Sequence, residues 1–139
     1  MNKMRKNKNF LASSIATVAL AVLTMAGSAQ VQQLGLRRTD LQQHDLGIPG
    51  QEVIQARVEI DPGAVPVRHK HPGVEIIYVL EGLLEYQVEG EQPVTLKAGE
   101  VLFIPTGVVH SAKNVGSGSA TELATYVVEK GKPLISIVK

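Results

Sequence analysis

Three of the four histidines fall in two short windows whose spacing suits metal binding. His69 and His71 are two residues apart in a β-context, so their side chains leave the same face of one strand, about 6.6 Å apart along it. Glu75 follows the turn at Pro72-Gly73, and His110 comes later in the chain. Three imidazoles and one carboxylate suit Mn, Fe, Co, Ni, Cu or Zn, whereas Mg and Ca prefer oxygen ligands alone. We therefore expect these four residues to bind one divalent transition metal.

The segments that must position these residues have the pattern of short β-strands. From Glu52 to Ile60 apolar and polar residues alternate strictly, which is typical of a half-buried strand. Turn signals containing Gly or Pro then recur about every ten residues, and this spacing indicates an all-β sandwich or barrel. No stretch after Ala29 has a convincing helical period.

On two motifs the sequence resembles the cupin family. The first runs from Gly63 to Gly82 and the second from Gly99 to Asn114, and every defining position carries the expected residue: Gly63, His69, His71, Glu75 and Gly82, then Gly99, Pro105, Gly107, His110 and Asn114. The resemblance implies a single antiparallel β-barrel of jelly-roll type with the metal at its mouth, bound by the four residues named above. It also implies that the glycines and Pro105 mark turns or close approaches, and Asn114 is expected to form a turn.

The barrel interior predicted from strand parity is apolar, with Tyr86 as its one phenol. None of the basic residues falls at an inward position in these strands, so a small neutral substrate, partly aromatic or a diketone, is favoured over an acid or phosphate. Resemblance to the cupin dioxygenases implies a metal-dependent oxidoreductase, in which Glu75 can double as a general base. Glu75 and Tyr86 are thus the candidate catalytic residues.

Two other functions stay open on the sequence. A metal-dependent isomerase or lyase acting on a sugar-derived substrate would need a second acid or base inside the barrel, and Tyr86 is the candidate. A non-catalytic module that binds a metal or small ligand is equally compatible with the motifs. His44 has no partner at ligand spacing and is expected at the surface, as are Arg68 and Lys70.

The N-terminal 29 residues have the layout of a secretory signal peptide. Basic residues precede an apolar run from Phe10 to Met25, and a small-residue site ends at Ala29. The domains predicted are therefore a signal peptide at 1–29 and a cupin barrel at 30–139, in the periplasm or secreted. An uncleaved membrane anchor is the alternative, although the apolar run is shorter than the ~20 residues of a spanning helix.

The predicted mature chain is acidic and lacks cysteine. Four of the 14 Lys and Arg lie in the leader, so ten remain against 13 Asp and Glu. This excess of acidic residues argues against nucleic acid as a partner. Because the chain has no cysteine, no disulfide can form, although the predicted compartment would permit one. After cleavage no membrane association is expected.

The run from Val74 to Leu80 is apolar on both faces, which predicts that both faces are covered. If Glu75, Ile77 and Val79 point to the metal side, Ile76 and Tyr78 point outward. A second subunit is the favoured cover, giving a homodimer, and the arm at residues 30–46 is the monomeric alternative.

Export is tested by the N-terminus of the mature protein. Protein recovered from outside the cytoplasm is expected to begin at Gln30, as N-terminal sequencing or intact mass would show. An intact Met1 in the membrane fraction would instead support the anchor.

Overall fold

Ten β-strands provide the regular structure of residues 34–139, the part of the chain that this computed structural model describes. The predicted signal peptide and its cleavage site lie outside the described residues. The strands are β1 (Leu36–Asp45), β2 (Gln51–Ile60), β3 (His69–Lys70), β4 (Gly73–Glu81), β5 (Leu83–Val88), β6 (Val94–Lys97), β7 (Val101–Ile104), β8 (His110–Asn114), β9 (Ala120–Glu129) and β10 (Ser136–Ile137). No helix that could span a bilayer occurs among residues 34–139.

The strands form two antiparallel five-stranded sheets, which confirms the predicted all-β fold. The first sheet has the order β1-β2-β9-β4-β7, and the second has the order β10-β3-β8-β5-β6. The core consists of inward side chains from both sheets, and the alternation read from the sequence is realised. Inward residues of β2, β4 and β5 are buried, among them Ala56, Val58, Ile60, Ile77, Val79, Leu84, Tyr86 and Val88.

The pairing register stacks the interior residues in layers. In the first sheet Tyr126 is the partner of Glu75, Ala124 is the partner of Ile77, and Glu122 is the partner of Val79. The second sheet has a matching series, in which Val88 is the partner of His110 and Tyr86 is the partner of Ala112. Side chains that share a register position point to the same face, so a residue two places along a strand lies one layer deeper.

Ten residues of the arm, Leu36–Asp45, form an edge strand of the first sheet. β1 pairs with β2 over its whole length, with a bulge between Asp40 and Gln42. Because β1 lies in the plane of the first sheet, it does not cover the outer face of β4. Ile76, Tyr78 and Leu80 stay exposed in the described structure. The described part of the arm, residues 34–46, therefore does not cover the apolar run in β4.

Turns and caps expected from the motifs are present. Asn114 donates from its amide to the carbonyls of Ile60 and Gly118 and accepts from the Gly116 amide, so it closes the end of the barrel opposite the histidines. Gly82 has a φ of +78°, and a Cβ there would lie 2.8 Å from the Ala120 Cα. Only glycine fits that turn without a shift of the neighbouring strand.

Gly73, at the start of β4, is a position where the fold tolerates no side chain. An added Cβ would lie 2.0 Å from the Val127 carbonyl oxygen. We expect Gly73→Ala to lower the free energy of unfolding by about 2 kcal/mol, since strand β9 must move. Gly118→Ala is the matched control, because a Cβ there meets nothing within 4 Å and should change stability by less than about 1 kcal/mol. Equal denaturant midpoints for both variants would contradict the close approach.

Candidate metal centre

The four predicted ligands come from both sheets and meet at one end of the barrel. His69 lies in β3, His71 follows that strand, and His110 begins β8, where it is the register partner of His69. Glu75 comes from β4 in the opposite sheet. The centre is therefore assembled only when the two sheets pack together.

The side-chain atoms converge closely. One ring nitrogen from each of His69, His71 and His110 lies within 4.8 Å of the others. Glu75 Oε2 lies 2.9 Å from His110 Nε2 and 3.2 Å from His71 Nε2. His71, Glu75 and His110 are buried and His69 is partly exposed. The centre can thus be reached from the side on which His69 lies.

The backbone fixes the orientation of all three imidazole rings. Nδ1 lies 2.9 Å from the Val67 carbonyl in His69, 2.7 Å from the Leu134 carbonyl in His71 and 3.1 Å from the Val108 carbonyl in His110. A carbonyl oxygen only accepts, so each Nδ1 must carry the proton and donate it. In a neutral ring, Nε2 then presents its lone pair to the centre, as metal-binding histidines do.

Lone pairs that converge at these distances need a positive charge between them. The Nε2 of His110 faces a carboxylate oxygen at 2.9 Å, where two acceptors would otherwise repel. His71 Nε2 is buried and has no hydrogen-bond partner in the described structure. A proton can serve one such pair, but a metal ion serves all four groups at once. The residues present therefore fit a divalent transition metal.

The electrostatics keep His69 and Glu75 in forms that can bind an ion, whereas they favour a proton on His110 that a metal would displace. Burial, with smaller contributions from the other two imidazoles, lowers the pKa of His69 to about 4, so its ring is neutral at pH 7. Burial alone would raise the pKa of Glu75, but the imidazoles of His110 and His71 lower it to about 2, which leaves a carboxylate. Burial likewise opposes charge on His110, yet the contact with Glu75 raises its pKa.

Tyr86 lies one layer below His110, where its hydroxyl donates to Glu122. It is 1% exposed, and burial, followed by the negative charge of Glu122, raises its pKa. The structure thus places this predicted catalytic residue in the interior, next to the ligand layer.

Two residues near the centre were missed by the sequence analysis. Glu122 is buried on β9, and the inward phase that it shares with Ala124 and Tyr126 is a signal that could have found it. Arg38 of β1 was not expected to face inward. Its guanidinium carbon lies 5.3 Å from the centre of the Tyr126 ring. The centre of that ring lies 4.8 Å from the centre of the His71 ring. Strand parity assigns inward positions only in the strands from Glu52 onward, so it gives no sign of a cation near Tyr126.

Comparisons with known proteins agree with this geometry. A family model described as the cupin domain matches residues 56–131, more than half of the chain. Germin-like protein subfamily 2 member 2 of Arabidopsis thaliana is 37% identical over 87 residues, which are 57% of this chain and 40% of that protein. The oxalate-binding protein of Thermotoga maritima is 36% identical over 74 residues, 52% of this chain and 60% of that protein. The chain thus matches 40 to 60% of the length of these relatives.

Among solved structures, a cupin-like protein from Thermotoga maritima superposes with a TM-score of 0.61 at 25% identity, covering 74% of this chain and 75% of that one. The two complete motifs, the pair of antiparallel sheets and the match to the family model lead to the same conclusion. This chain belongs to the cupin family.

Proposed function

We propose that this chain binds one divalent transition metal through His69, His71, Glu75 and His110 and acts as an oxidoreductase of dioxygenase type. The observation that carries the proposal is the set of three Nδ1-to-carbonyl hydrogen bonds, which leave the Nε2 lone pairs of His69, His71 and His110 in one cluster. Two of these nitrogens, in His71 and His110, lie 3.2 and 2.9 Å from Glu75 Oε2. Four protein ligands on a six-coordinate ion leave two positions for a small chelating substrate.

The bound metal would act as a Lewis acid toward such a substrate. The backbone carbonyls hold the three rings in place, so little reorganisation is needed when substrate enters. Glu75 supplies negative charge, and its pKa of about 2 in the metal-free protein makes it a weak proton acceptor. Tyr86, kept protonated by burial, holds a proton at its hydroxyl oxygen beneath the ligands. The largely apolar interior favours a neutral, partly aromatic or diketone substrate.

A second candidate is a module that binds a small carboxylate without turning it over. The side chain of Arg38 is only 12% exposed and lies over the Tyr126 ring, which contacts the ring of His71, so a cation lies one aromatic ring away from a proposed ligand. A guanidinium is a fitting partner for a carboxylate. The resemblance to an oxalate-binding protein favours the same ligand class.

Metal content and oxygen uptake test the proposal together. Protein purified without added metal should contain about one transition-metal ion per chain by elemental analysis and should consume oxygen with a phenolic or diketone substrate.

Chelation should lower the melting temperature by several degrees, because an ion bound only to the folded state adds about 2.7 kcal/mol at a hundredfold excess over Kd. Metal affinity should fall as the pH drops through the range in which His110 gains a proton, and this range lies above the usual imidazole pKa of about 6.5 because the contact with Glu75 raises the pKa of His110. The ring of His69, with a pKa of about 4, competes for protons only at much lower pH.

His71→Ala removes one proposed ligand, and His44→Ala is the matched control at an exposed position. Metal bound equally well by His71→Ala and wild type would show that the ligand assignment is wrong. Binding of oxalate without oxygen uptake, lost in Arg38→Ala, would support the carboxylate-binding module instead.

The location proposed is outside the cytoplasm, in the periplasm or secreted, on the strength of the N-terminal sequence pattern. The absence of cysteine from the whole chain means that stability there depends on core packing and on any bound ion. The proposed binding partner of the protein is a small molecule that reaches the metal. Nucleic acid is not proposed as a partner.

A homodimer is also proposed, formed through an outer apolar patch. This patch consists of neighbouring side chains on β4 and β7, each 43 to 62% exposed: Ile76, Tyr78, Leu80, Val101 and Phe103. It contains no charge, and beside it on the same face Glu59 pairs with both Arg37 and Arg57. An uncharged patch flanked by paired charges of both signs does not repel its own copy across a two-fold axis.

Substitution of Ile76 and Tyr78 by Lys should convert the dimer to a monomer, since four buried ammonium groups would lack partners at a two-fold interface. Light scattering at micromolar concentration measures the change, and Thr39→Lys on exposed β1 serves as the control. Wild-type protein that is already monomeric under these conditions would rule out the interface.

A further inference from the structure

A second carboxyl group lies inside the barrel beneath the proposed metal centre. Glu122 on β9 is the register partner of Val58 in β2 and Val79 in β4, two interior layers below Tyr126 and Glu75. It is 5% exposed. In the described part of the chain the one hydrogen-bond partner of its side chain is the Tyr86 hydroxyl, and no cationic side chain forms an ion pair with it.

The surroundings of Glu122 on balance disfavour its charge. Burial raises the pKa of Glu122 to about 8, and the negative charge of Glu75 on β4 acts in the same direction. Tyr86 on β5 and His110 on β8 oppose this rise, while β2 presents only the apolar Val58. Without a metal, Glu122 is therefore mostly a neutral acid at pH 7.

The charge balance of the proposed centre is incomplete without this group. Three neutral imidazoles and one carboxylate contribute a single negative charge, whereas the ion carries two positive charges. One positive charge would remain in an interior with low polarity, and an uncompensated buried charge is costly. Glu122 is the buried interior acid that lies beneath the ligands and lacks a cationic partner.

We infer that Glu122 is the second counter-charge of the metal centre. It releases its proton to solvent as the ion binds, and its carboxylate, held by the Tyr86 hydroxyl, balances the ion from below the ligands. The exchange is balanced, since one divalent ion enters and one proton leaves from Glu122, with no electron transferred. This inference rests on the metal binding proposed above.

Proton release on Zn²⁺ binding tests the inference. Calorimetric titrations of the full chain, stripped of metal, in buffers of different ionisation enthalpy report the protons released per ion. At pH 7 wild type should release about one proton more than Glu122→Gln, because the group is protonated before binding and ionised after it. Protons released by His110 differ little between the two proteins, because Glu122 makes the smallest of the contributions that raise the pKa of His110.

Affinity should change in parallel. Wild type should bind Zn²⁺ about tenfold more tightly than Glu122→Gln at pH 7, if the ion shifts the Glu122 equilibrium by about two pKa units. The ratio should approach unity near pH 5.5, where Glu122 stays protonated, and rise further at pH 8. A purely structural role would give a ratio that does not depend on pH. Glu52→Gln is the control, because Glu52 is equally buried but already receives a hydrogen bond from Gln43.

A direct measurement covers the case in which Glu122→Gln does not fold. The carboxyl ¹³C resonance of Glu122 in wild type should titrate near pH 8 without metal and below pH 7 with Zn²⁺ bound. A resonance that titrates at the same pH in both states, or equal proton counts for wild type and Glu122→Gln, would overturn this inference alone. Failure of Zn²⁺ to bind wild type would overturn the metal-binding proposal and this inference with it.

Discussion

The structure around the centre depends on one electrostatic constraint, the convergence of lone pairs from three imidazoles and a carboxylate. Each ring donates its Nδ1 proton to a backbone carbonyl, so the Nε2 atoms of His71 and His110 face Glu75 as acceptors, and His69 lies beside them. Such a cluster is unfavourable in a buried place unless positive charge enters it. The barrel can supply part of that charge as a proton on His110, whose contact with Glu75 favours protonation.

The two sheets each contribute part of this cluster. The second sheet and the loops beside it supply the three histidines, and the first sheet supplies Glu75. Interior packing then determines what else comes near. Ala56 and Ala124, both fully buried, are the small residues at the layer between Glu75 and Glu122, and their size leaves room for larger side chains from the opposite sheet, such as Tyr86. The polar groups below the centre are thus part of the core as well as part of the site.

Much of this arrangement could be predicted from the sequence because it follows local rules. Alternation gave the inward face of β2 and β4, and motif spacing placed His69, His71, Glu75 and His110 together. The residues that could not be identified from the sequence are placed by contacts between segments far apart in the chain. Arg38 reaches Tyr126 because β1 adds to the edge of the first sheet, and a polar arm gives no signal of that pairing. The Leu134 carbonyl that orients His71 belongs to a segment without a motif, so no local pattern could identify it.

The hydrogen bond from His71 to Leu134 has a consequence for the rate at which the centre exchanges its ion. The segment that carries Leu134 is held beside β3 by two paired residues, Ser136 with Lys70 and Ile137 with His69, and by a hydrogen bond from the Val138 amide to the Arg68 carbonyl. So short a strand opens far more often than the long pairs of the first sheet, and each opening frees the His71 ring to rotate. The lifetime of an ion bound as proposed would then be governed by local opening at this edge, and a barrel with high global stability could still release the ion quickly.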